Sequence, residues 1–176
     1  RLDALAADAY RVWASRRPPL PGLDLRHAAQ VATIDALADA LDGQVLPTTP
    51  VAGRRYYADN PAFCIGDATA LHGMLLAHRP ARVVEIGSGY SSALLLDIVE
   101  AALPGTELVF VEPYTELLRS LMRDGDDARC RIVPSRAQDL PMDEIQRLTA
   151  GDVLFIDSTH VVRTGSDVCH LVLEVL

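Results

Sequence analysis

The sequence predicts a doubly wound α/β domain on a mostly parallel sheet, preceded by an N-terminal helical extension, and three observations carry that prediction. From Asp67 onward, short β-branched runs alternate with segments whose apolar residues recur at helical spacing. The runs Arg82-Val-Val-Glu-Ile86, Glu107-Leu-Val-Phe-Val111, Arg131-Ile-Val133 and Asp152-Val-Leu-Phe-Ile156 are continuously apolar instead of alternating, as strands covered on both faces are. Between the first run and the helix after it stands a glycine turn, Gly87-Ser-Gly89.

Taken in order, Leu2, Leu5, Ala9, Val12 and Trp13 mark a first helix that Arg17-Pro18-Pro19 ends, because proline lacks the N–H and clashes with the preceding turn. Asp24 is suited to cap a second helix, with Val31, Ile34, Leu37 and Leu41 on one face and Gly43 closing it. Residues 44–60, rich in Pro, Thr, Gly and Tyr, read as an extended connector. The division is therefore an extension over 1–60 and a core over 61–176. Asp67 caps the next helix, whose face is Leu71, Met74, Leu75 and His78 and whose stop is Pro80. After the first strand, Ser91 or Ser92 opens a helix with Leu94, Leu95, Ile98 and Val99 inward, ended by Pro104-Gly105. Pro113 suits the start of the helix after strand two, with Leu117, Leu118 and Leu121 inward and Asp124-Gly125 as its end. Pro141 begins a short helix carrying Met142, Ile145 and Leu148, and the last helix begins near Ser166.

Composition narrows the function classes. With 24 acidic against 16 basic residues the net charge is −8, so no broad basic face exists to neutralise a phosphate backbone, and nucleic acid is excluded as a partner. No run approaches the roughly 20 apolar residues that a membrane span needs. Cys64, Cys130 and Cys169 form no C-x-x-C pair, which argues against a disulfide framework or a zinc site and for a reducing, cytoplasmic setting. The chain begins at Arg1 and stops at Leu176 within an apolar run, so it is expected to continue, with further strands completing the sheet and much of the acceptor site.

Right-handed crossovers give the strand order 3-2-1-4, with a switch point between strands one and four. Ligands of such sheets bind beyond the carboxyl ends of the strands at that point, so the loops over 87–92 and 157–164 matter most. The first reads Glu85-Ile-Gly87-Ser-Gly89-Tyr-Ser91-Ser92. Its glycines allow a tight turn and close backbone approach, and the helix after it directs free N–H groups at a ligand. Gly87, Ser88, Gly89, Tyr90 and Ser91 are thus candidate cofactor-binding residues of a Rossmann-like site. A dinucleotide fingerprint would place a third glycine where Ser92 stands. Glu85 would repel a pyrophosphate but would accept hydrogen bonds around an ammonium group, which S-adenosylmethionine carries and NAD does not. Glu112, at the end of strand two, is placed to take both ribose hydroxyls.

Glu85-x-Gly87-x-Gly89 with Glu112 resembles the cofactor motifs of class I S-adenosylmethionine-dependent methyltransferases, whose seven strands run 3-2-1-4-5-7-6. The likeness extends to Val84-Glu-Ile-Gly-Ser-Gly-Tyr-Ser-Ser92, Phe110-Val-Glu-Pro113 and Leu154-Phe-Ile-Asp-Ser-Thr-His160 through Thr164-Gly-Ser-Asp167, which look like a bacterial group of that family. It covers roughly Tyr56 to Glu174. More distantly, the chain is similar to the catechol O-methyltransferase branch. That likeness implies an adenine contact at Ala137-Gln138-Asp139, where Ala137 replaces a serine and leaves Gln138 as the candidate. It also implies that Asp157 is a cofactor-side residue and candidate metal ligand, and that His160, standing where the branch has lysine, deprotonates an acceptor hydroxyl. Imidazole suits the task because it titrates near neutral pH. Two ligands would not complete a metal site, so a divalent metal stays an open cofactor beside S-adenosylmethionine.

Tyr57, Asn60 and Phe63 are placed to fold over the cofactor or to pack on the core edge. His72 and His78 read as structural, and Arg163 with Asp167 as a pair bracketing the last helix. The expected activity is methyl transfer from S-adenosylmethionine to a hydroxyl of a small-molecule acceptor, with Asp157 and His160 as the catalytic candidates. No membrane partner is expected, and a homo-oligomer stays open. Two rivals remain: a non-catalytic nucleoside-binding domain, and an NAD-dependent oxidoreductase, which Glu85 and Ser92 disfavour.

Overall fold

The computed structural model describes residues 24–176; the helix expected from Leu2 to Trp13 lies outside the described residues. The chain divides into two compact units, Arg1–Ile34 and Asp35–Leu176, and the second holds the sheet. Helix α1 (His27–Leu41) follows Asp24, whose carboxylate accepts from the Arg26 N–H at 2.9 Å. It ends where Asp42 and Gly43 turn through positive φ.

Four strands, β1 (Arg82–Ile86), β2 (Glu107–Val111), β3 (Cys130–Val133) and β4 (Val153–Ile156), form one parallel sheet in the order β3-β2-β1-β4. This is the doubly wound, Rossmann-like arrangement expected. The central strand β1 is buried throughout, whereas edge strand β4 is half-buried along its length. Successive residues point to opposite faces, so each strand feeds two cores. Val83, Leu108 and Phe110 pack with Leu71, Leu75, Leu94, Leu95, Ile98 and Leu118 on one face. Val84, Ile86, Val109 and Val111 pack with Ala137, Leu140 and Leu171 on the other. Each such fully buried aliphatic side chain contributes roughly 1.5–3 kcal/mol. Among the described residues no helix is long and apolar enough to cross a membrane.

Helix α2 (Ile65–His78) is capped at Cys64, so Asp67 lies inside its first turn instead of at the cap. His72 and Gly73 replace Met74 and His78 on its buried face, and Gly73 lets Leu37 approach to 3.0 Å from where a Cβ would stand. Helix α3 (Tyr90–Ala102) starts one residue before Ser91, with Gly89 as its cap. Helix α4 (Glu116–Leu121) starts later than Pro113 suggests, and Leu117 is turned outward at 44% exposure. Helix α5 (Asp143–Gln146) is a single turn, and α6 (Asp167–His170), capped by the Ser166 side chain, passes into a wider turn over Leu171–Val175.

Residues 44–60 are tied to α3 by a buried charge cluster. Arg55 donates to Asp97 at 2.9 Å, to Asp126 at 2.5 and 2.7 Å, and to Glu100 at 2.8 Å. Asp97 also accepts the backbone N–H groups of Arg55 and Tyr56 at 2.9 and 3.0 Å. A guanidinium fork needs planar carboxylate partners when it leaves water, and here it has them on two sides.

Candidate functional site

Strand register builds the site. Ile86 pairs with both Val111 and Ile156, so the next residues, Gly87, Glu112 and Asp157, leave the sheet side by side at its carboxyl end. Two further bonds carry the ladder past the strands: the Gly87 N–H donates to Val111 O and the Asp157 N–H to Ile86 O, both at 2.9 Å. The three segments line one cavity of about 1000 Å³, near the upper end of the roughly 300–1,000 Å³ usual for small-molecule sites.

Gly87, Ser88, Gly89, Tyr90, Ser91, Glu112, Gln138, Asp157 and His160 all lie on the cavity wall. Gly87 has φ +87°, and a Cβ there would stand 2.1 Å from the Asp157 carbonyl oxygen. The β1 and β4 loops therefore touch at a spot where only glycine fits. Glu112 accepts from the N–H groups of Ser88 at 3.2 Å and Tyr114 at 2.8 Å, which fixes the carboxylate at the cavity rim and leaves lone pairs for a diol. Gln138 is held by its amide, which donates to Gly165 O at 3.1 Å.

Glu85 is placed differently from the expectation of a residue at the strand's mouth. It shares a face with Val83, has no exposure, and sits behind the loop instead of on the cavity wall. Ser92 donates its hydroxyl to Glu85 Oε2 and accepts the Gly89 N–H at 3.0 Å, so the serine that breaks the dinucleotide fingerprint ties loop to carboxylate. Burial pushes Glu85 up to about 7, against the hydroxyl bond from Ser92, and the charge of Asp157 adds to the rise. Its Oε1, with Ser88 Oγ and Ser158 Oγ, is buried without a hydrogen-bond partner. Unsatisfied buried polar atoms are costly and usually signal a missing partner.

On the β4 side, His160 Nε2 lies 3.2 Å from Asp157 Oδ1, and His160 itself has φ +56°, a left-handed conformation uncommon for a residue other than glycine. The pair expected between Arg163 and Asp167 is absent: both Asp167 oxygens are taken by Thr159, at 2.5 and 2.9 Å. Those bonds outweigh the effect of burial and hold the Asp167 carboxyl down at about 2. Among the described residues Asp157 has His160 as its one ion-pair partner, and no group of three His, Cys, Asp or Glu side chains is gathered as a metal would require. Two side chains alone do not make the six or more oxygen ligands that Mg²⁺ or Ca²⁺ takes.

Of the N-terminal aromatics, Phe63 lines the cavity with Ala62, while Tyr57 packs edge-on against Tyr90 with centroids 5.8 Å apart. Asn60 is a structural knot, donating to the carbonyls of Tyr57 and Phe63 and accepting from the N–H groups of Ala62 and Phe63. Sequence reasoning flagged the 157–164 loop without singling out Ser158 or Thr159, missed Tyr114 on the cavity wall, and read Leu117 as core. Position was the available signal, since Ser158 and Thr159 directly follow Asp157 and Tyr114 lies two residues past Glu112.

A family model described as a methyltransferase domain matches residues 84–176. An uncharacterized protein of Archaeoglobus fulgidus is 32% identical over 96 residues, covering 53% of this chain and 43% of that protein. The chain thus spans less than half the length of the curated relative it matches. No solved structure matches it.

Proposed function

The chain belongs to the methyltransferase domain family of class I, S-adenosylmethionine-dependent enzymes, and we propose that it transfers a methyl group from S-adenosylmethionine to a hydroxyl of a small molecule. The observation that carries the reading is the strand register that sets the glycine loop, Glu112 and the Asp157–His160 pair around one cavity. The residues present fit the cofactor. Ser88, on the cavity wall, has its Oγ buried without a partner, which suits the amino-acid end of the cofactor, and Glu112 stands where a ribose diol would donate. When bound, S-adenosylmethionine supplies an electrophilic methyl group on a sulfonium.

The chain's own residues do the rest. The Gly87–Ser91 backbone and Glu112 orient the nucleoside, Gln138 borders the base, and Phe63 and Tyr90 shield one side of the cavity from water. His160, exposed at 72% toward solvent, turns Nε2 to Asp157 at 3.2 Å and so accepts the acceptor's hydroxyl proton at Nδ1, and Asp157 stabilises the imidazolium that results. Alignment and a positioned base suffice for an in-line displacement of this kind. The acceptor's specificity is a property of the cavity's outer wall, to which Arg136, Arg163 and Tyr114 contribute.

Calorimetry with S-adenosylhomocysteine and with NAD tests the cofactor. Tight NAD binding with no adenosylhomocysteine binding overturns the proposal. For the base, His160→Ala should keep adenosylhomocysteine affinity within threefold. It should lose about 10²- to 10⁴-fold in turnover, read as adenosylhomocysteine release over a panel of phenols and alcohols. Unchanged turnover removes His160 from the reaction.

A further inference from the structure

The segment between β4 and α6 leaves the sheet at Asp157 and is exposed from Thr159 to Gly165. Little of its own chemistry would keep it in one shape. It has no regular secondary structure, and His160 sits at φ +56°, a conformation that persists only where surroundings impose it. Four attachments impose it, one of them the Gln138 amide on Gly165 O at 3.1 Å. At the start, the Asp157 N–H extends the β1 ladder to Ile86 O. At the end, Ser166 Oγ accepts the N–H groups of Arg163 and Cys169, both at 3.2 Å. In the middle stands Asp167, only 8% exposed, whose two carboxylate oxygens take the Thr159 N–H at 2.9 Å and the Thr159 hydroxyl at 2.5 Å.

The middle attachment lies next to His160 in the chain. Asp167 opens α6, and four residues later Leu171 is fully buried against Val84, Ile86, Val109 and Val111. A rigid line therefore runs from the core under β1 and β2, through Leu171 and Asp167, to Thr159, one residue before the imidazole. Although Asp167 borders the cavity, both its oxygens face Thr159, so it is engaged with the protein and not with a ligand.

We infer that Asp167 is a positioning residue that acts through Thr159 to hold His160 against Asp157 at the cavity. The catalytic meaning of that role rests on the reading of His160 as the base; the clamp itself does not. Freed from Asp167, the loop would relax out of the left-handed turn at His160, and the 3.2 Å contact with Asp157 would open.

The test uses the 176-residue chain with Asp167→Ala, Asp167→Asn, Thr159→Val and Thr159→Ser, and a control at Leu118, which is fully buried beneath the opposite face of the sheet. Amide hydrogen exchange at Thr159 and the His160 ring resonances, assigned by their loss in His160→Ala, are read by NMR. Adenosylhomocysteine affinity is read by calorimetry. Asp167→Ala should speed Thr159 exchange at least tenfold and move the His160 ring signals to those of an unconstrained histidine. Thr159→Val should do part of this and Thr159→Ser little, with adenosylhomocysteine affinity within threefold throughout. Asp167→Asn, which keeps an acceptor for the N–H, should fall between, and it carries the test if the alanine variant does not fold. With an acceptor in hand, Asp167→Ala should lower kcat at least tenfold and leave the acceptor KM within threefold. The inference is overturned if Asp167→Ala leaves Thr159 exchange and the His160 ring signals as in the unmodified chain. It is equally overturned if Leu118→Ala moves those signals as far, because general loosening would then explain them. Absence of adenosylhomocysteine binding in the unmodified chain would sink the proposed function while exchange and ring signals still decide the clamp.

Discussion

Replacing Gly87 by alanine tests the contact on which the cavity's geometry depends. At φ +87° an L-residue is strained, by about 1–2 kcal/mol. The added Cβ would also stand 2.1 Å from Asp157 O, 2.7 Å from Asp157 C and 2.9 Å from Ser158 Cα, all backbone atoms without a rotamer to escape into. Ordinary contact begins near 3.4 Å, so the β4 loop must retreat by about 1 Å. Forced repacking of this kind costs about 1–3 kcal/mol. The total is roughly 2–5 kcal/mol, which for a chain of this size lowers the melting temperature by roughly 4–20 °C. Asp157 moves with the loop, and a displacement of about 1 Å at a reactive site is enough to cost up to about 10²-fold. Gly125→Ala supplies the control, since Gly125 has φ +93° with nothing within 4 Å of a Cβ and so carries the conformational cost alone. Scanning calorimetry of both variants, with titration of adenosylhomocysteine, separates the effects. Gly87→Ala should melt several degrees below Gly125→Ala and bind at least tenfold more weakly. If the two melt together, and Gly87→Ala binds within threefold of the unmodified chain, the β1–β4 backbone contact does not set the site.

Two further outcomes follow from buried charge. Folded Glu85 keeps its proton up to about 7, whereas in the unfolded chain it releases it near 4.5. The folded state therefore binds more protons between those values, and stability falls as pH rises through that window, by on the order of 3 kcal/mol in all. Glu85→Gln removes this slope, so the urea midpoints of variant and unmodified chain should diverge in the variant's favour between pH 5 and pH 8; parallel curves would refute it. Arg55→Ala removes the guanidinium that bridges Asp97 and Asp126, at 4% and 1% side-chain exposure, leaving Asp97 only the Arg123 cation at 3.9 Å among the described residues, and should cost about 3–5 kcal/mol in urea unfolding. Arg55→Lys should recover only part of the loss, because an ammonium cannot bridge two carboxylates as a guanidinium fork does.

The sheet was legible because its signals are local and redundant. Each strand is a β-branched run, the first two crossovers return to a neighbouring strand while the third passes to the far side of β1, and handedness leaves few orders beside β3-β2-β1-β4 to choose from. The same logic located the cavity, since Gly87, Glu112 and Asp157 are each the first residue past a strand in a common register. Side-chain direction was less readable. Glu85 looks like a mouth residue in one dimension, but the period of two along β1 sends it to the Val83 face, beneath Ser92. Leu117 and Met74 fit helical spacing, yet the faces they occupy are a cavity wall and solvent.

What escaped the sequence altogether are bonds between residues whose separation carries no pattern. Arg55 reaches 42 residues to Asp97 and 71 to Asp126, and no periodicity announces either. Asp167 has two chemically plausible partners nearby, an arginine four residues before it and a threonine eight before it. Charge alone favours the arginine, but the structure gives the carboxylate to the threonine. The reason is that a surface ion pair is worth at most about 1 kcal/mol, whereas the Thr159 N–H and hydroxyl, turned inward by the loop, would otherwise compete with water at a partly buried position. The choice of partner then has a chemical consequence. An Asp167 paired with Arg163 would pin the loop three residues beyond His160, on the solvent side. Paired with Thr159, it pins the residue between Ser158 and His160 and leaves the Arg163 guanidinium without an ion-pair partner among the described residues, on the cavity wall.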